Sequence, residues 1–333
     1  MTEVDEGFEK GPRPLPPNSF RAGDVPHQAY EYALKLESRD NLSGRILGYM
    51  LLYAPNGSRQ ATIAQEIVES PTDNERARLA SSFKHFLIHR LVNSMQHTPT
   101  HSARSSLDNQ QLELSEEAPS LHACAKAAAL ERDSFRCLVS GKVDIASLDS
   151  ALTERRGGEK PGVTHAAHIF PEFLGRGEEE LNREYTAGAC AVMRMFSGID
   201  LGQELNGARV DRLENTLTLH SDIQNAFDRL RLWLEPLKQE STAYCVRAIG
   251  AARGYLEELP SNTTEISGQN GHPRPDPRYL CTHAACCKVA NLSGAGQYVE
   301  QILRDIERGS SVPSEDGNTA ELLLHALSRV SAH

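Results

Sequence analysis

Two histidines, His165 and His168, stand in the stretch Thr164-His165-Ala166-Ala167-His168-Ile169-Phe170-Pro171, and after an insert come Asn215, His220, Gln224 and Asp228. An imidazole titrating at about 6.5 can take up and release a proton near neutral pH, provided that something fixes its tautomer. Imidazoles and carboxylates also donate to divalent cations, and a neutral amide oxygen does so feebly. Each of these residues has a purely structural reading beside the chemical one. Ser221-Asp222-Ile223-Gln224 fits a capping box with Ser221 as N-cap and Gln224 reaching back to its amide. Asp228 lies at the edge of an apolar helix face made by Ile223, Ala226, Phe227 and Leu230. Asn215 fits a turn into a strand, and His165 a satisfied strand histidine.

These groups must be held by the surrounding elements. The first 26 residues hold five prolines in a polar background and read as a flexible arm (1–26). Helical periodicity follows over 27–96, with Leu42, Ile46, Tyr49, Met50 and Tyr53 on one stripe and Leu79, Phe83, Phe86, Leu87 and Leu91 on another. A further helix over 62–69 stops before Pro71, and 97–117 reads as a loop. From about 118 the pattern turns to a helix at 121–132 and a short strand, Arg136 to Ser140, closed by Gly141. Strand signals recur at 162–170, 216–219, 230–235 and 243–249, with a helical insert at 178–209 and a linker loop at 258–278. Two C-terminal helices within 279–333 close the chain, one carrying Val299, Ile302, Leu303 and Ile306 on one face. That stripe predicts packing on the domain core, or on a second copy of the chain in a homo-oligomer.

Composition narrows the classes. The 333 residues are 39% hydrophobic and 24% charged, ordinary for a globular protein and unlike a fibre or a disordered chain. With no run of eighteen apolar residues and no basic-then-apolar leader, no membrane partner or secretory signal is expected, and the expected location is intracellular, cytoplasmic or nuclear. Seven cysteines without a C-x-x-C pair predict reduced, packed thiols, including the run Cys281-Thr282-His283-Ala284-Ala285-Cys286-Cys287. A net charge of -10 repels polyanions at long range, and the segments 131–176 and 209–238 are each electrically balanced.

The segment from Arg132 to Pro236 resembles the HNH (ββα-metal, or His-Me finger) endonuclease domain as it occurs in fungal HNH-domain proteins. The residues that carry the resemblance are Arg132-Asp133-Ser134-Phe135-Arg136-Cys137-Leu138-Val139-Ser140-Gly141, the His168 motif, Asn215-Thr216-Leu217-Thr218-Leu219, and Phe227-Asp228 with the strand ending Glu235-Pro236. The tail His283-Ala284-Ala285-Cys286 with Leu292-Ser293-Gly294-Ala295 is similar to the same proteins. The resemblance implies an α+β fold in which a ββα-metal core of short strands, spanning 118–257, is embedded between N-terminal and C-terminal helices.

It also implies roles. His168 would be the general base of metal-dependent phosphodiester hydrolysis, Asn215 would orient it, and a divalent cation, Mg²⁺, Mn²⁺ or Zn²⁺, would stabilise developing charge. The sequence departs from the pattern at the ligands. The position before the motif histidine is Ala167, which has no donor atom, and the last motif histidine is replaced by Gln224. His165, on the same strand face as position 167, Asp228, one turn beyond Gln224, and His220, one turn before it, are the candidates to rebuild the set. Two other outcomes are open: a metal-independent enzyme in which His168 serves as acid and base on a small-molecule substrate, and a non-catalytic interaction module. Nucleic acid is the partner the resemblance implies, although no basic patch stands out in the sequence.

Overall fold

A computed structural model describes residues 11–96, 121–171, 180–238, 241–259 and 261–307. The expected loop at 97–117 and the C-terminal stretch beyond 307 lie outside the described residues.

The first helices are set by their caps and buried stripes. They are α1 (Val25–Glu37), α2 (Asn41–Leu52), α3 (Gly57–Glu69) and α4 (Asp73–Gln96). The Asp40 carboxylate accepts from Ser43 N at 3.1 Å to open α2, and Asn56 accepts from Arg59 N at 3.0 Å to open α3. Before α4, Thr72 and Glu75 form a reciprocal capping box, Thr72 N donating to Glu75 and Glu75 N to Thr72 Oγ1. Ile46, Tyr49, Met50, Phe83 and Phe86 are fully buried, so the two stripes read from the sequence meet in the core. Removing one such aromatic side chain costs about 3–5 kcal/mol. Helices α1 and α2 pack so closely that a Cβ on Gly44 would stand 2.2 Å from the Glu37 nitrogen, which admits only glycine there.

Residues 11–24 correct the expectation of a flexible arm. This segment is docked: Arg13 N donates to Leu292 O at 3.0 Å, Tyr49 Oη to Pro14 O at 3.0 Å and Tyr30 Oη to Pro16 O at 2.9 Å, while Leu15 is buried. Proline removes backbone donors and leaves carbonyls to be satisfied, and two buried tyrosines supply the hydroxyls. Burial pushes both phenols above their ordinary range.

The second half is α+β. It begins with α5 (Leu121–Arg132), β1 (Val143–Asp144), α6 (Ile145–Asp149), β2 (Pro161–Gly162) and β3 (Thr164–His168). Helices α7 (Glu180–Ser197) and α8 (Leu201–Glu204) form the insert, and β4 (Thr216–His220) runs straight into α9 (Ser221–Asp228). Next come β5 (Leu232–Pro236), β6 (Ala243–Ala248), α10 (Arg253–Glu257) and β7 (Thr263–Glu265), then α11 (Pro277–Ser293) and α12 (Ala295–Glu307). Strands β3 and β4 pair antiparallel with His168 opposite Thr216, and β5, β6 and β7 make a second antiparallel sheet.

Two expectations need correction. Residues 136–140 are not a continuous strand: Arg136 makes a single antiparallel bridge with Val143, and the chain then turns, Gly141 N returning to Cys137 O at 2.9 Å, after Ser134 and Phe135 take φ of 54° and 60°. The stretch 258–278 contains β7, which extends the sheet through the pairing of Cys245 with Thr263.

The turn is tied to the strands by a buried ion pair. Arg132, 1% exposed, grips Asp133 at 2.7 and 2.8 Å and donates to the carbonyls of Leu213 and Thr216, both at 2.8 Å. Asp133 in turn accepts from Thr218 N at 3.1 Å. A guanidinium presents its donors in a rigid fork, so one buried arginine fixes helix α5 against the start of β4 and the turn before it.

Candidate active site

His168 ends β3, where the paired strands give way to loop, and its side chain is 19% exposed. Its Nε2 lies 3.0 Å from Oδ1 of Asp211, itself 17% exposed and the last residue of a 3₁₀ turn, Gly207–Asp211. Sequence reasoning missed Asp211. It sits in a Gly-containing stretch without periodicity, and the contact joins residues 43 apart.

Asn215 is fully buried between these two segments. Its Oδ1 accepts from Phe170 N at 2.9 Å, and its Nδ2 donates to Phe170 O and Val210 O, both at 2.9 Å. Its backbone carbonyl accepts from Ile169 N at 2.8 Å. Among the described residues no hydrogen bond joins Asn215 to the His168 ring that it was expected to orient. The amide binds main chain through both its nitrogen and its oxygen, and it locks a residue just after His168 to the residue just before Asp211.

A second missed residue comes from the N-terminal helices. Arg90 of α4, 2% exposed, donates Nη1 to Ile169 O at 2.5 Å and Nη2 to Phe227 O at 3.5 Å, with Asp228 Oδ1 at 3.9 Å. Burial draws its pKa down and the Asp228 carboxylate opposes that shift. His283 of α11 stacks on the Phe227 ring at 3.8 Å between centroids, and its Nε2 lies 3.2 Å from Phe227 O. Burial, with the Arg90 charge nearby, holds this imidazole well below its ordinary value, so it is neutral and donates to the carbonyl. The Phe227 carbonyl, in the last turn of α9, is thus met from two sides, by Arg90 and His283.

The loop that carries Asp211 is braced by α11. Asp276 N donates to Glu214 O at 2.8 Å, Tyr279 Oη to Glu204 Oε2 at 2.8 Å, and the Tyr279 ring meets Phe170 edge-on at 5.8 Å. Arg212, beside Asp211, turns its guanidinium to Glu214 at 3.1 Å and thereby holds that carboxyl below the usual range.

The remaining candidates point elsewhere. His165 Nε2 lies 3.0 Å from Ser221 Oγ, which also contacts Val163 O at 3.2 Å, so Ser221 staples the start of α9 to β3. The expected capping box is not formed. His220 is the N-cap, and Gln224, half-buried, makes no side-chain hydrogen bond among the described residues. His220 packs against Gly162, and burial, reinforced by the Lys142 charge, lowers its pKa.

The cation implied by the resemblance finds a poor fit. Ala167 is buried without a donor, His165 is turned to Ser221, Asp228 faces the buried Arg90, and Gln224 offers a neutral amide. Among the described residues no three His, Cys, Asp or Glu side chains converge as ligands.

Two antiparallel strands, the second leading directly into a helix and the first ending on His168, make a ββα unit. Residues 137–235 match the family model described as HNH endonuclease, covering this unit, its helical insert and most of β5. No curated protein and no solved structure matches the chain. None of the described helices is long and apolar enough to cross a membrane.

Proposed function

We propose that the chain hydrolyses phosphodiester bonds in nucleic acid, with His168 as general base. The observation that supports this most is the placement of His168 at the end of β3, partly exposed, within the segment that matches the HNH endonuclease family. In this reading a water attacks phosphorus as its proton passes to the His168 ring. The bond from phosphorus to the departing oxygen breaks, and that oxygen takes a proton from solvent. A positioned base contributes about 10²–10⁴-fold to such a step. Asn215 acts through the backbone, holding Phe170 and Val210 so that the loop presents the ring.

The net charge of -10 gives no long-range attraction for a polyanion, so substrate capture relies on local contacts. The test is nicking of supercoiled plasmid by the full chain, run in parallel with Mg²⁺, Mn²⁺, Zn²⁺ and chelator. Nicking that disappears in His168→Ala, at unchanged melting temperature, supports the reading. Intact plasmid in every arm, or equal nicking by the variant, overturns it.

A further inference from the structure

We infer that Asp211 is the positioning residue of His168: its carboxylate holds the ring in the tautomer with the proton on Nε2, which puts the basic lone pair on Nδ1. Its consequence for rate rests on the reading of His168 as a base, but the tautomer itself does not.

Three observations carry the inference. The first is the Nε2 to Oδ1 separation of 3.0 Å, an ordinary length for an N–H···O hydrogen bond. The second is shielding: both side chains are less than one-fifth exposed, so water competes weakly for either partner. The third is that the pair is built by the main chain rather than by flexible side chains. Asn215 binds Phe170, two residues after His168, and Val210, one before Asp211, so one buried amide sets the distance between the two loops. The side chain of Val210, 7% exposed, anchors the 3₁₀ turn from below. Among the described residues the ring's hydrogen bond is to Asp211 and none joins it to Asn215, whose amide is engaged with Phe170 and Val210.

The chemical value of such a pair is twofold. A neutral imidazole otherwise divides between two tautomers, and a fixed acceptor selects one. When the ring takes a proton, the carboxylate stabilises the imidazolium without being protonated itself. Here Asp211 supplies both, and the main chain holds it in place before substrate arrives.

The test uses the full chain with ¹⁵N-labelled histidine and two-bond ¹H–¹⁵N correlation spectra above the titration of the ring, the His168 signals being assigned by their loss in His168→Ala. The wild type is expected to show the proton on Nε2, Asp211→Ala a mixture of tautomers, and Asp211→Glu a return toward Nε2. With a phosphodiester substrate, Asp211→Ala is expected to lower kcat about 10- to 100-fold while KM changes less than about twofold, and Asp211→Glu to recover part of the loss. A wild-type ring protonated on Nδ1, or a spectrum indifferent to Asp211→Ala, overturns the inference. The wild-type spectrum decides even where a variant fails to fold. If the wild type cleaves no phosphodiester, the proposed reaction falls and the spectra alone judge the tautomer.

Discussion

Arg90 and Ile169 are joined by a 2.5 Å hydrogen bond from a guanidinium that is 2% exposed to the carbonyl of the residue that follows His168. The N-terminal helices are thereby part of the site's scaffold. A charge buried this deeply is tolerable only with partners, and Ile169 O, Phe227 O and Asp228 are those partners. Arg90→Ala is expected to destabilise the fold by about 1–3 kcal/mol, because it leaves the Ile169 carbonyl without its buried donor. Urea unfolding followed by circular dichroism measures this, and a loss under about 1 kcal/mol contradicts the role.

Asn215 spans two loops with three side-chain hydrogen bonds to backbone. Asn215→Ala strands Phe170 N, Phe170 O and Val210 O in a buried setting, where each unsatisfied group costs about 1–3 kcal/mol. The expected result is a lower melting temperature together with faster amide exchange at Phe170. Exchange at Phe170 that stays as slow as in the wild type argues against Asn215 as the lock.

The pH dependence of stability follows from His283. Its folded-state pKa is held well below 6.5 by burial first and then by Arg90, against the opposing bond to Phe227. The unfolded chain takes up that proton at about pH 6.5, so the folded state is at full strength above this pH and weakens as pH falls below it. The slope from this group is at most about 1.4 kcal/mol per pH unit. Replacing His283 by Gln should flatten unfolding free energy between about pH 6.5 and 5, and an unchanged slope would exclude His283 as the source.

Cys286 and Cys287 lie fully buried in α11, where burial pushes the Cys286 thiol up to about 12 and raises Cys287 as well. Thiols of this kind are poor nucleophiles at neutral pH. Both are expected to resist an aromatic disulfide reagent in the native protein and to react in urea, whereas the exposed Cys124 reacts natively. Fast native labelling at 286 or 287, read by peptide mass, would contradict the packing.

Much of the scaffold is legible in the sequence because its signals are local. The stripe through Ile46, Tyr49 and Met50 lies on one face of α2, and the apolar set Ile223, Ala226 and Phe227 marks the buried face of α9. The strands through His168 and Thr216 fall where the strand signals at 162–170 and 216–219 lie. What escapes is non-local. Asp211 gains meaning from a partner 43 residues away, and Arg90 from a carbonyl 79 residues away, neither of which any periodicity encodes. The turn at 136–140 looks like a strand by residue type, and only the left-handed backbone of Ser134 and Phe135 says otherwise. The docked segment 11–24 has the composition of a free arm, yet Tyr30 and Tyr49 supply the donors that hold it. In α9, Ser221 and Gln224 match a capping box, but Ser221 is drawn away to His165.

The most direct measurement on the central claim is chemical rescue of His168→Ala. With a fluorescent phosphodiester substrate, the account predicts a rate at least about 100-fold below wild type that rises with added imidazole, since free base replaces the missing ring. A His168→Ala protein that cleaves as fast as the wild type without imidazole would contradict it.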